Sequence, residues 1–201
     1  MDITQLILDD HHEQRRLFAM LEQIDPADTR TLAAVWGRLA AFLETHAQAE
    51  EEIFYPELVR LAVGPRPLAS AEPETLDAIK DHNEIRDTIA AVAGHAVGSP
   101  GWLAAVAAVN VANGDHMAEE EREGLTDFRR RISLSERHAL AVRFAAFEAG
   151  HVTGVQPVDK DPAGYVHSIE ESAAAGGEGG EGGEGAGDGA AERGSLNIGK
   201  L

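Results

Sequence analysis

The chain has 201 residues, an apolar fraction of 43%, a formal net charge of −18 and no cysteine. This length is sufficient for one well-packed domain, and the negative charge disfavours nucleic acid and anionic membranes as partners. Without cysteine, disulfides and thiolate metal sites are excluded, so metal ligands must be nitrogen or oxygen atoms. Residues 1–16 lack the basic start and long apolar run of a signal peptide, which predicts a cytoplasmic protein.

Apolar residues recur at helical spacing in four long segments, which are separated by short breaks rich in proline and glycine. The first two segments run from residue 3 to about 24 and from 29 to 61. The next two run from about 72 to 92 and from 102 to about 131, and a shorter fifth follows Ser133 or Ser135 and ends at Gly150. Strand patterns are nearly absent. We therefore expect an all-α fold, an antiparallel up-down four-helix bundle with a short fifth helix.

The composition changes along the C-terminal part of the chain. We expect the bundle and its fifth helix within residues 1–150, an irregular extension over 151–171 and a low-complexity tail over 172–201. Residues 172–194 contain no aromatic residue and no leucine, isoleucine or valine, so this segment is predicted to be a disordered acidic tail rich in glycine and glutamate. Pro56 lies inside the second predicted helix and should kink or interrupt it.

Four of the nine histidines lie near the middle of the four predicted helices, one on each: His11, His46, His82 and His116. They are separated by 35, 36 and 34 residues, which brings them to a similar height in an antiparallel bundle, and each continues the apolar line of its helix. A single histidine of this kind is usually a hydrogen-bonded core residue. Four at one level need a shared partner, and a metal ion is the simplest one. His12 competes with His11, but its helical register gives a poorer apolar line.

Two of these helices also place a glutamate one turn after the histidine, as His46 with Glu50 and His116 with Glu120. Residues four apart point to the same spot, and two buried carboxylates close together need a cation. The sequence therefore predicts a metal site composed of His11, His46, Glu50, His82, His116 and Glu120.

Aspartates precede three of these histidines, as Asp10, Asp81 and Asp115. Each could accept the free ring N–H of a histidine on a neighbouring helix. An equally good interpretation is a set of solvated acids. Tyr55, close to the Glu50 face, is expected to support the site or the core rather than to bind the metal.

The segments DDHHEQRRLF, HAQAEEEIFYP, DHNEIR and DHMAEEE resemble those of hemerythrin-like proteins with the HHE cation-binding domain, over roughly residues 1–150. The resemblance implies a four-helix bundle that holds two iron ions, bridged by carboxylates and by an oxo or hydroxo group. It implies small molecules as partners: dioxygen, hydrogen peroxide or nitric oxide. Functions in this family include oxygen binding, oxygen or iron sensing, and the handling of peroxide or nitric oxide.

The chain departs from oxygen-carrying hemerythrins at two points. Those proteins have a second histidine one turn after that of the third helix, where this chain has Arg86. They have an aspartate five residues after the histidine of the fourth helix, where this chain has Glu121, with Glu120 at four. Either glutamate is a candidate ligand.

These departures affect the expected chemistry. Four imidazoles, two bridging carboxylates and a one-atom bridge leave two open positions on two six-coordinate irons, which suits a reagent that engages both metals. We therefore expect a non-haem di-iron protein that handles peroxide in a catalase- or peroxidase-like reaction. The alternatives are an oxygen or iron sensor without turnover and a reversible dioxygen binder. A ferritin-like iron oxidase is disfavoured, since only Glu148 and His151 show the Glu-x-x-His spacing of that class.

Overall fold

The computed structural model describes residues 1–63 and 66–177, and this part of the chain is helical with no strand. The helices are α1 (Ile3–Gln23), α2 (Thr29–Ala49), α3 (Tyr55–Val63), α4 (Ala71–Val92), α5 (Pro100–Arg122), α6 (Gly124–Arg131), α7 (Leu134–Gly150) and α8 (Pro162–Gly177). Between α2 and α3 lies a single π-helical stretch, Glu50–Phe54, called the π segment below. The predicted all-helical bundle is confirmed, and its second and fourth helices are each interrupted once.

The core of the bundle consists of two large apolar clusters separated by a polar layer, and a third, smaller cluster lies between α3 and α8. One cluster is centred on Phe54, Tyr55 and Phe128, and the other on Leu39 and Trp102. Along every long helix the predicted histidine lies between residues of the two clusters. In α1, for example, His11 lies between Ile7 of the first cluster and Leu17 of the second. The nearly equal spacing of the four histidines therefore does place them at one level of the bundle.

The π segment is the predicted interruption near Pro56, and it lies on the N-terminal side of the proline. The Tyr55 N–H donates to the Glu50 carbonyl, five residues back, instead of to Glu51. Pro56 has no N–H with which to close the next α-helical turn, and wide turns of this kind often occur at functional sites. The wider turn brings both Glu50 and Glu51 into the interior, although neighbours on a regular helix point about 100° apart.

The C-terminal part of the described chain is more regular than the sequence predicted. The fifth helix, α7, begins at a capping box formed by Ser133 and Glu136. The expectation of an irregular extension over 151–171 is wrong for its second half, because α8 begins at Pro162 and also includes the first six residues of the predicted tail.

Helix α8 is stabilised by the residues that it buries. Val166 and Ile169 of α8 are buried against Val59 of α3, and the Asp161 carboxylate accepts the Gly164 N–H at 2.7 Å at the start of the helix. The predicted disordered tail beyond residue 177 lies outside the described residues. None of the helices described is both long and apolar enough to cross a membrane.

Candidate metal centre

The four histidines of the polar layer are all buried, and each has Nδ1 close to a carboxylate from another helix or from the π segment. The four Nδ1-to-carboxylate distances are 3.0 Å for His11 and Glu121, 3.1 Å for His46 and Asp10, 2.8 Å for His82 and Glu51, and 3.6 Å for His116 and Asp81. A carboxylate at Nδ1 favours the tautomer with the proton there, and this leaves Nε2 free as a metal ligand. The four Nε2 atoms therefore form an inward-facing set of nitrogen donors.

Glu50 lies between two pairs of these imidazoles. Its Oε1 is 3.0 Å from His46 Nε2 and 4.0 Å from His11 Nε2. Its Oε2 is 3.3 Å from His82 Nε2 and 4.0 Å from His116 Nε2. The carboxylate is fully buried and presents one oxygen to each pair. It thus has the geometry of a group that bridges two cations, each held by two imidazoles.

Glu120 is buried on the His11 side of the centre, where its Oε2 lies 3.3 Å from His11 Nε2. Its other oxygen accepts a 3.0 Å hydrogen bond from the Tyr55 hydroxyl. Glu121 lies behind the His11 ring instead, where it also contacts Arg15 at 2.8 Å. Of the two alternatives that the sequence left open, Glu120 faces the centre and Glu121 orients a histidine.

The other five histidines lie away from the centre. His12 is exposed, and so are His95, His138 and His167, while His151 caps the end of α7. Of the three aspartates, for which two interpretations were equally good, Asp10 and Asp81 contact a histidine on a neighbouring helix, whereas Asp115 is exposed.

Glu51 was not among the residues predicted for the site. Its signal was the run Glu50–Glu52 shortly before Pro56, which permits a wide turn with two neighbouring acids buried. Glu51 also explains the orientation of the Arg86 side chain. The guanidinium does not point into the centre but donates to Glu51 Oε1 at 2.6 Å.

The buried donor atoms lie close enough together to hold cations, and several of them have no other partner. Two groups of buried residues offer ligand atoms that lie within 4.8 Å of one another: His11, His46 and Glu50, and Glu50, His82 and His116. Within the described part of the chain, the Nε2 atoms of His11 and His46, both oxygens of Glu50 and Oε2 of Glu120 have no hydrogen-bond partner. Buried polar atoms without partners are costly, and cations between them would satisfy all five.

The pKa values of the metal-free site show the same preference for positive charge. Burial alone would lower the pKa of His46, but the charge of Glu50 and the hydrogen bond to Asp10 raise it well above 6.5. In the same way, contacts with Asp81 and Glu50 outweigh burial and raise the pKa of His116 to about 10. The surrounding carboxylates thus stabilise cationic imidazoles here, and metal cations can take over that role.

The comparison with protein families gives one match. The model of the hemerythrin HHE cation-binding domain matches residues 2–126, which is more than half of the chain and contains all four histidines and both HxxxE pairs. Comparisons with curated proteins and with solved structures give no match. The domain indicates metal binding, in agreement with the two groups of histidine and glutamate ligands described above. The chain belongs to the hemerythrin HHE cation-binding family.

Proposed function

We propose that this protein holds two iron ions, with His11 and His46 on one ion, His82 and His116 on the other, and Glu50 between them. The observation that carries this proposal is the position of Glu50, which presents one carboxylate oxygen to each histidine pair. Glu120 is the proposed second carboxylate ligand. Imidazole and carboxylate donors suit iron, and family membership favours iron over manganese or zinc.

We further propose that the centre reacts with hydrogen peroxide. A cavity of about 140 Å³ lies beside α4 and α5 and is lined at one point by Tyr55, His116 and Glu120, so a small molecule inside it meets the edge of the centre. The rest of its lining includes Glu74, Asp77, Asp81, Glu119 and Glu123, and no lysine or arginine. An acidic lining disfavours anions but admits neutral molecules such as hydrogen peroxide, dioxygen and nitric oxide.

When bound, two irons supply a two-electron redox change, which is sufficient to convert two molecules of hydrogen peroxide into two of water and one of dioxygen. The chain's own residues would hold the site in place during this reaction. Tyr55 is one of them: burial and the charge of Glu120 raise the pKa of its hydroxyl well above 10, so that this group remains a hydrogen-bond donor to Glu120. It thereby fixes one carboxylate oxygen and leaves the other facing His11.

Oxygen evolution from hydrogen peroxide tests the reaction. Protein loaded with iron should evolve dioxygen faster than free iron at the same concentration, and metal-free protein should not. His95→Gln, at an exposed position outside the centre, is a matched control that should behave as the wild type. A rate no higher than that of free iron would rule out the peroxide reaction.

A sensor without turnover is the second candidate, and one observation favours it. Residues of the segment after α7, beyond the part matched by the family model, contact Glu51 beside the centre. A sensor needs such a connection between its ligand site and a separate segment. If peroxide turnover is absent, amide hydrogen exchange in α8 that differs between the oxidised and reduced protein would support the sensor.

A further inference from the structure

Glu51 is a buried carboxylate beside the proposed centre with three side-chain partners. Its Oε1 accepts hydrogen bonds from His82 Nδ1 at 2.8 Å and from Arg86 at 2.6 Å, and its Oε2 accepts one from Lys160 at 2.5 Å. These three contacts fix the carboxylate, and it holds the His82 ring with Nε2 toward the centre.

Lys160 reaches Glu51 because its own backbone is fixed beside the ligand. Asn83, the residue after His82, donates to the Lys160 carbonyl at 2.7 Å and accepts the Lys160 N–H at 3.1 Å. This pair of hydrogen bonds sets the position of Lys160 relative to α4, the helix that carries His82. The ammonium group thus approaches Glu51 from a defined direction, although its side chain is 30% exposed.

Tyr165 satisfies a backbone atom that the π segment leaves free. In a regular helix the Glu51 carbonyl would accept the N–H of Tyr55, but that N–H goes to Glu50. The next residue, Pro56, has no N–H to offer. The Tyr165 hydroxyl donates to the Glu51 carbonyl at 2.5 Å instead. The segment after α7 therefore supplies two partners for Glu51: Tyr165 for its main chain and Lys160 for its side chain.

This segment has its own apolar attachment, so its two polar contacts do not have to hold it in place. Val166 and Ile169 are buried against Val59, with Leu76 at the edge of the same cluster. The attachment lies on α3, which follows the π segment, and on α4, which carries His82.

We propose that Lys160 and Tyr165 are positioning residues for the metal centre, which hold Glu51 and through it the His82 imidazole in the orientation that binds the second metal ion. Residues 159–169 lie outside the part of the chain that matches the family model. The proposal rests on the proposed function in so far as it assumes two metals. Because coupling between sites is reciprocal, metal binding should also slow amide hydrogen exchange in α8.

The test uses the full chain with the double substitution Lys160→Met and Tyr165→Phe, which removes the two polar groups and keeps the apolar parts of both side chains. Lys80→Met, at an exposed position on α4, is the matched control. Cobalt(II) is the probe metal, titrated in competition with a chelator. We expect one of two bound cobalt ions to lose about tenfold in affinity, the other to be unchanged, and Lys160→Arg with native Tyr165 to restore most of the loss.

A second measurement does not depend on metal. The imidazole ¹⁵N chemical shifts of His82 in the metal-free protein report where the ring proton lies, and we expect the double variant to lose the wild-type preference for Nδ1. Unchanged His82 shifts would overturn the proposal, whatever happens to the affinity. Wild-type protein that binds fewer than two cobalt ions would contradict the proposed function instead, and the shifts would still decide the positioning role. If the double variant does not fold, Tyr165→Phe alone, which loses only a hydroxyl, carries the same two measurements.

Discussion

His82 and His116 face each other with their Nε2 atoms 3.1 Å apart. The Nδ1 atom of His82 is held by Glu51, and that of His116 lies 3.6 Å from Asp81. In the metal-free protein the raised pKa of His116 keeps its imidazole protonated, so its Nε2–H can donate to the Nε2 lone pair of His82. A metal ion bound by both Nε2 atoms would replace that proton. The two rings thus converge on one position, and Glu50 Oε2 lies 3.3 Å from His82 Nε2 beside it.

The first prediction concerns Glu50. Glu50→Gln keeps the shape of the side chain but removes the charge that two cations would share, so we expect the variant to lose at least one of two bound irons. Elemental analysis after loading with ferrous iron measures this. Glu52→Gln, two residues away and exposed, should bind as the wild type does. Full metal content in Glu50→Gln would contradict its bridging role.

The second prediction separates Glu120 from Glu121. Glu120→Gln removes a charge that faces the centre, so it should lower the number of irons bound. Glu121→Gln changes the partner of His11 Nδ1 and of Arg15 but no group that faces the centre, so it should keep the stoichiometry and weaken affinity by about tenfold. Chelator competition and elemental analysis on the two variants distinguish these effects. Equal losses of stoichiometry would mean that the two glutamates do not have different roles.

The third prediction is a pH dependence of stability in the metal-free protein. Burial and the nearby charge of Asp10 raise the pKa of Glu148 to about 8, from its ordinary 4.5. Because the folded protein binds this proton more tightly, the contribution of Glu148 to stability is fully present below pH 4.5 and is lost as pH rises toward 8. Glu148→Gln, which cannot ionise, should therefore be more stable than the wild type at pH 8, by about 2 kcal/mol after allowance for solvent screening.

Urea unfolding at several pH values, in the presence of a chelator, checks this. Glu171→Gln, at an exposed position on α8, should unfold in parallel with the wild type at every pH. If the free energy of unfolding of Glu148→Gln shows the same pH slope as that of the wild type between 4.5 and 8, the raised pKa is wrong.

The fourth prediction concerns the C-terminal residues. Deletion of residues 172–201 removes the last turns of α8 but none of the residues buried against α3, so metal content and thermal stability should change little. Deletion of residues 159–201 removes Lys160, Tyr165 and the buried valine and isoleucine, so both properties should fall. Thermal unfolding and elemental analysis on the two truncated proteins make the comparison. A large loss in the shorter deletion would show that the tail has a structural role.

Much of the bundle could be predicted from the sequence because it depends on periodic patterns. The apolar spacing determined the four long helices, and the steps between His11, His46, His82 and His116 determined that they share one level. The four-residue spacing of His46 with Glu50, and of His116 with Glu120, determined which carboxylates face the same spot. Both signals are local and repeat with the geometry of a helix, so no tertiary information was needed.

The outer partners of the histidines were decided only by the tertiary structure. Asp10, Asp81, Glu51 and Glu121 each lie on a different segment from the ring that they contact, and a chain with 35 acidic residues offers many equivalent candidates. The buried position of Glu51 in particular depends on the π segment, because the extra residue in this wide turn changes the direction of the Glu51 side chain. Helix α8 likewise forms where burial of Val166 and Ile169 stabilises it against α3. Contacts between residues far apart in the chain have no period along it, so they are determined only when the helices pack.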